Sequence, residues 1–396
     1  MPTRAIVLLS LAAFASASAL RAADALLPLI AAQFDTTPGG ASAVITGFAI
    51  AYGLLQLANG PIADRIGKYR MVCWVTAVSA IGNLACALAP SLPALVTARF
   101  LSGATVGAIV PLSIAWIGDA VPYERRQAVL ARFLIGHMSG VAFATAASGF
   151  LGEWLGWRAM FFLLAGLYAG VGALLFLELR RNATTRDAGA GGASLGESFV
   201  RMGRLTRHPW VRVMLATVFL EGGLFYGALA FVALDLHLRF GLSLGASGST
   251  VAAFALGGFA YAAGAGRIVP RLGERGLVLA GGAFMAAGFV VLALAPSALW
   301  APGCLAVLGA GIYMMHNTLQ VHATQMAPEA RGGSLALFAC SLFTGQSVGV
   351  WVASHFVDAG GARPILLASA LGLSLLAFDF RRRLALRRVG RRPTLQ

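Results

Sequence analysis

Gly60-Pro61-Ile62-Ala63-Asp64-Arg65-Ile66-Gly67-Lys68-Tyr69-Arg70 is a short charged turn set between two long apolar runs. A weaker copy stands 206 residues later, Gly266-Arg267-Ile268-Val269-Pro270-Arg271-Leu272-Gly273-Glu274-Arg275-Gly276, with Gly, Ile, Arg and Gly at matching places. The same offset relates Pro122-Tyr123-Glu124-Arg125 to Pro328-Glu329-Ala330-Arg331, and Gly103 to Gly309. Independent matches at one offset in 396 residues predict two tandem halves of about 200 residues each. The halves are expected at 1–179 and 210–380, with a linker at 180–209 between them and a basic tail at 381–396.

The chain is 58% hydrophobic and 11% charged, with mean hydropathy +0.79. Soluble domains carry roughly a quarter charged residues, which argues against a soluble fold. Apolar runs of about 20 residues, the length that crosses a bilayer, recur throughout. Spanning segments must be helices or a closed barrel, because hydrocarbon leaves no water for unpaired backbone groups. These runs are continuous rather than alternating, so the expected fold is an all-α membrane protein. Its 49 glycines suit close helix packing in lipid. Cys73, Cys86, Cys304 and Cys340 all lie within apolar runs and form no CxxC pair, so they read as small core residues. There is no glycine-rich phosphate loop, nucleophile elbow or metal-ligand spacing. No enzyme activity, cofactor or metal is expected.

Twelve spans are expected, at about 5–33, 40–60, 71–89, 94–117, 128–151 and 158–178 in the first half. The second half gives about 211–234, 245–265, 277–295, 300–324, 333–356 and 364–380. Arg4, the run Ile6 to Phe14 and the following small residues resemble a cleaved signal peptide. The run continues to Ala32, however, and cleavage would leave unmatched halves, so retention is expected. The linker holds the flexible stretch Gly189-Ala190-Gly191-Gly192. Its later part, Phe199 to Trp210, reads either as an amphipathic surface helix or as a disordered basic loop. With the amino terminus inside, 25 of the 30 Lys and Arg fall on the inner face. Arg158, Arg239 and Arg363 fall outside, and Arg21 and Arg99 within the membrane. That asymmetry predicts a multi-pass protein of a bacterial inner membrane with both termini cytoplasmic. The basic tail then meets anionic lipid heads, which accounts for the net charge of +15 without any nucleic acid.

Charged side chains in hydrocarbon cost about 2.5–3.5 kcal/mol each on insertion scales, so each is a candidate for function. Arg21 and Asp24 lie on the first span, Arg99 on the fourth and Glu221 on the seventh. The tenth carries His316, Asn317, Gln320 and His322. The polar load thus repeats every third helix, so each half is a pair of three-helix units. Spans one, four, seven and ten are expected to line a wet passage, and the last helix of each unit to face lipid. Arg21 and Asp24 are i, i+3 neighbours that read either as a self-neutralising pair or as a working site. Glu221 has no cation one turn away and reads as a coupling or binding group. Arg99 is expected to partner Asp24 and to anchor anionic groups. His316 to His322 has poor spacing for chelation, and Asn317 and Gln320 suit hydrogen bonds to a substrate. Low dielectric disfavours the charged form of a midplane carboxylate, which is the physical basis for proton coupling.

These residues resemble the major facilitator superfamily over essentially the whole chain. The stretch from Gly60 through Asp64, Arg65, Gly67 and Lys68 resembles the signature loop between helices 2 and 3. Arg99-Phe100-Leu101-Ser102-Gly103 resembles the helix-4 arginine motif, and Gly156-Trp157-Arg158 the start of helix 6. The resemblance implies the major facilitator fold: twelve transmembrane helices in two pseudo-symmetric six-helix bundles around a cavity, worked by alternating access. It also implies that Asp64 sits near the amino end of helix 11, and that Arg65 and Lys68 reach acids such as Asp119. Together with Arg125, Arg271 and Arg331 they would latch the halves; the alternative is that these charges only fix topology. Asp24-Ala25-Leu26-Leu27-Pro28 is similar to the helix-1 pattern of proton-exchanging exporters. The antiporters' Gly-Pro signature on helix 5 is absent: Gly136, Gly140 and Gly149 are there without a proline.

The expected function is that of a monomeric secondary transporter for a small molecule, a proton-coupled exporter of a drug or metabolite. Asp24 and Glu221 are the expected proton sites, with Arg99 and Arg21 beside Asp24. Tyr226, Tyr313, His316, Asn317 and Gln320 are the expected substrate contacts. The alternatives are a proton-coupled importer of an organic anion or sugar, gripped by Arg21 and Arg99, and a non-transporting receptor or scaffold.

Overall fold

The computed structural model describes residues 3–186, 195–326 and 331–389. The glycine run at 189–192, Pro328-Glu329-Ala330 and the end of the basic tail lie outside them. Among the described residues every regular element is a helix. Eleven stretches are long and apolar enough to cross a membrane. One of them, Leu244–Leu294, runs for 51 residues but breaks at Gly273 (φ 60°, ψ 175°), so it forms two spans and the total is twelve. In chain order these are α1 (Thr3–Gln33), α2 (Pro38–Ile66), α3 (Lys68–Ala87), α4 (Leu92–Ala120), α5 (Tyr123–Leu155) and α6 (Arg158–Arg181). The second bundle holds α7 (Pro209–Phe240), α8 (244–272), α9 (274–294), α10 (Ala301–Thr324), α11 (Arg331–Gly360) and α12 (Arg363–Val389).

The duplication seen in sequence is present in the backbone. Gly67 ends α2 at φ 94°, and its counterpart Gly273 ends α8 at φ 60°. An L side chain is strained in both conformations, so both turns use glycine. A Cβ on Gly103 would stand 2.3 Å from the Phe48 carbonyl oxygen, and one on Gly309 would stand 2.0 Å from that of Phe254. Each bundle therefore presses its fourth helix onto its second through one missing methyl group.

The bundles meet along two seams, α2 against α11 and α5 against α8. Glycines again set the distance. A Cβ on Gly53 would stand 2.8 Å from Phe343 Cβ, one on Gly149 2.2 Å from the Leu244 carbonyl and one on Gly248 2.1 Å from that of Thr145. Ser347 Oγ donates to the Thr46 carbonyl at 3.0 Å. These contacts lie toward the face of the short loops at 34–37, 156–157, 241–243 and 361–362, opposite the basic Gly67–Lys68 turn. α1 and α7 are the most deeply buried spans, and α5 and α11 the least. Large exposed apolar side chains such as Trp74, Ile81, Phe162, Leu371 and Phe378 cover α3, α6 and α12, where lipid would solvate them.

Two elements depart from the sequence expectation. A helix spans Leu195–Leu205, earlier than the expected Phe199 to Trp210, because Pro209 opens α7 and holds His208 in extended backbone (ψ 126°). Its Met202 is buried, and a Cβ on Gly333 of α11 would stand 3.3 Å from the Met202 side chain. Helix α12 continues through Val389 rather than stopping near 380. Arg383 pairs with Asp379 one turn away at 2.6 Å, and the Arg387 guanidinium lies 4.3 Å from the centre of the Trp210 ring.

Candidate functional site

α1 is not one continuous helix. It stops at Arg21, passes through a 3₁₀ turn at Asp24–Leu26 and restarts at Leu27 with Pro28 in the first turn. A proline nitrogen cannot donate to the Asp24 carbonyl, so the helix opens there and points both charged side chains inward. Arg21 Nη1 donates to Asp24 Oδ2 at 3.1 Å, with both side chains about 95% buried. Asp24 Oδ1 accepts no hydrogen bond among the described residues. Arg21 also crosses the seam: its guanidinium stacks on the Tyr226 ring of α7, 4.7 Å from the centroid. A small cavity bounded by Arg21, Asp24, Thr145, Leu229 and Phe254 lies beside this pair, walled by both bundles.

Five residues along from Tyr226, on the same helix, Glu221 is fully buried. Its Oε2 lies 2.7 Å from His316 Nδ1 of α10, while Oε1 has no hydrogen-bond partner among the described residues. His316 is only partly covered and packs its ring against Phe338 of α11, 5.3 Å between centroids. Each bundle thus carries a buried carboxylate held by a basic partner well inside a span, Asp24 by Arg21 and Glu221 by His316, besides the buried Glu178 beside Arg4 and Asp235 beside Arg239 nearer the span ends. Tyr226 stands between the first two pairs.

The other expected contacts are spread differently. Tyr313 packs against Phe254, and a Cβ on Gly258 would stand 2.5 Å from its ring and 2.7 Å from Met138 of α5, so Gly258 lets α8, α10 and α5 converge. Asn317 sits beside the Tyr261 hydroxyl of α8, and Gln320 is exposed. Arg99 does not pair with Asp24. It donates to the Val44 carbonyl at 3.2 Å and the Ala19 carbonyl at 3.0 Å, and its guanidinium lies 3.9 Å from the Phe48 ring centre. At 0% exposure it reaches no wet passage, so the expected anion grip is not formed. His322 lies 3.7 Å from Glu274 and edge-on to Trp210, near the basic end of α10 and a full turn and more beyond His316.

In the signature turn, Lys68 Nζ meets Asp119 Oδ2 at 2.5 Å. Both belong to the first bundle, so this pair fastens the α2–α3 turn to the end of α4. Asp64, Arg65, Arg125 and Arg271 are exposed. The turn before α11 lies outside the described residues, and with it the expected seat for Asp64; α11 itself opens at Arg331.

Sequence reading treated Glu221 and His316 as separate groups, because nothing in their spacing shows that α7 and α10 bring them together. It also left out His137 of α5, which lies against the Ala13 backbone of α1. Glu153 and Asp358, just beyond the expected ends of their spans, were likewise not among the candidates.

Twelve apolar spans in two bundles, with carboxylates buried inside them, make a multi-pass membrane protein. The profile of the Major Facilitator Superfamily matches residues 9–350, and the chain belongs to that family. It is 28% identical over 309 residues to YwfA, an uncharacterized MFS-type transporter of Bacillus subtilis strain 168, covering 77% of this chain and 72% of that one. It is 26% identical over 180 residues to the multidrug export protein EmrB of Escherichia coli K12, covering 46% of this chain. That match spans only 35% of the length of EmrB. A crystal structure of the nucleoside transporter NupG (D323A mutant) superposes with a TM-score of 0.79 at 14% identity, over 95% of this chain and 98% of that one, a likeness of fold.

Proposed function

We propose that this protein is a proton-coupled exporter of a small molecule, working by alternating access in a bacterial inner membrane as a monomer with both termini cytoplasmic. The observation that carries the reading is the two buried carboxylates with basic partners, Asp24 with Arg21 and Glu221 with His316, linked across the bundles by the Arg21 guanidinium over the ring of Tyr226, which shares its helix with Glu221. Each carboxylate keeps one oxygen without a hydrogen-bond partner among the described residues, where a proton or a substrate donor can bind. A buried carboxylate needs a partner for its charge, which here can be its own basic neighbour, a proton or a substrate donor. Competition between proton and substrate for these oxygens produces exchange. The Glu221–His316 bond adds a relay, since the pair can carry one proton or two. The partial likeness to EmrB, a multidrug export protein, supports the outward direction. Units 1–179 and 210–380, joined through 180–209, are the bodies that would rock. The packing of α2 on α11 and α5 on α8 supports a carrier whose two bundles close on each other at the short-loop face.

Inverted membrane vesicles test this. With acid inside, they should accumulate substrate, and Glu221→Gln and Asp24→Asn should abolish that uptake while the protein stays folded. Normal exchange with unchanged pH dependence in both variants would refute the proton sites.

A further inference from the structure

The two bundles touch at the short-loop face through a pair of matched contacts that neither the signature turn nor the buried carboxylates involve. Asp358, near the end of α11, accepts from the Thr37 hydroxyl at 2.6 Å through Oδ2 and from the Gly39 N–H at 2.8 Å through Oδ1. Both donors stand at the start of α2, in the other bundle. Glu153, near the end of α5, accepts from the Gly245 N–H at 2.9 Å at the start of α8, with the Ser243 hydroxyl beside it. The contacts are copies of each other. Ser243 and Gly245 stand 206 residues after Thr37 and Gly39. Asp358 stands 205 after Glu153, the register that also relates the positive-φ turns at Gly156 and Gly361.

We propose that Glu153 and Asp358 are a symmetric pair of gate clamps that hold the short-loop face shut during the transport cycle. Each carboxylate closes on the first turn of a helix, where N–H groups lack intrahelical partners and the dipole favours an anion. Thr37 and Ser243 serve twice, because each also caps its own helix by accepting from Gly40 or Ala246. Glycine is required at the contact. A Cβ on Gly39 would stand 2.2 Å from Asp358 Oδ2 and 2.6 Å from the Ser354 carbonyl. A Cβ on Gly245 would stand 2.6 Å from the Phe150 ring and 3.0 Å from Glu153 Oε2. Donor and acceptor belong to different bundles in both cases, so these bonds exist only when the face is closed. Once it opens, water takes the place of both partners. The clamps therefore weight one conformation without touching substrate.

The proposal rests on the alternating-access part of the functional reading and not on its proton sites. The test is a distance measurement that needs neither substrate nor a gradient. Spin labels at Leu88→Cys and Leu299→Cys, both exposed on this face in opposite bundles, are placed in a chain whose four cysteines have been replaced. Removing one charge-assisted contact at a wetted surface should raise the longer-distance, open population roughly five- to tenfold. Glu153→Gln and Asp358→Asn should each do so, the double variant more than either. Thr37→Ala and Ser243→Ala approach the same bonds from the donor side and should shift the distances in the same direction, by less. Asp379→Asn, whose acid pairs within α12, should leave them unchanged. Distances identical to the parent in the monodisperse double variant, or a shift in the carboxylate variants with none in Thr37→Ala, would overturn the assignment. Loss of proton coupling in Glu221→Gln with the clamp shift intact, or the reverse, separates the two readings.

Discussion

A carboxylate inside an apolar bundle is tolerated only when something answers its charge, and this chain supplies a different answer in each half. Asp24 has a permanent cation one turn away, so its pair is neutral without a proton. Glu221 has an imidazole instead of a permanent cation, a ring that can take up or release a proton at its nitrogens. Glu221 is therefore the more direct proton carrier, and His316→Gln should uncouple transport from the proton gradient while leaving gradient-independent substrate exchange, which counterflow in proteoliposomes would measure. Arg99 has the opposite character. Its guanidinium is fixed by the carbonyls of two neighbouring helices and covered by Phe48 and Phe161. Arg99→Ala should cost about 2–4 kcal/mol, because it leaves a cavity and removes the guanidinium bonds that tie α4 to α1 and α2. A thermal-unfolding midpoint lowered by several degrees, with Arg99→Lys recovering only part of the loss, is the expected result.

Helices here are positioned by what their glycines leave out. Gly103 and Gly309 do the same work in the two halves, bringing α4 onto α2 and α10 onto α8 with carbonyl oxygens at distances no Cβ tolerates. Gly103→Ala and Gly309→Ala should each abolish a monodisperse peak in size-exclusion chromatography. Gly166→Ala, on α6 with open space around it, should leave the peak unchanged. The turns at Gly67 and Gly273 depend instead on positive φ, and alanine at either should cost about 1–2 kcal/mol of strain. These glycines were visible as matched letters in the repeat. Which of them met a carbonyl and which met only open space depended on the facing helix, and no spacing along the chain carries that information.

At the scale of the molecule, transport asks that two bundles close at one face and part at the other. The Lys68–Asp119 pair lies within a single bundle, so it stiffens the signature turn for whatever Asp64 meets across the interface. Asp64→Asn should slow substrate turnover several-fold while binding stays nearly unchanged, as read by initial transport rates against equilibrium binding; undiminished turnover would leave these charges with topology alone. The sequence by itself determined the membrane class, the twelve spans, the duplication and which residues carry charge into the bilayer, because hydropathy, repeat offset and burial cost are local properties of the chain. It did not determine that Glu221 meets His316, that Arg99 is spent on carbonyls, or that Glu153 and Asp358 reach into the opposite bundle. Those pairings join residues up to 321 positions apart, and only the packing of helix on helix, within a bundle for Glu221 and Arg99 and across bundles for Glu153 and Asp358, brings them within hydrogen-bonding distance.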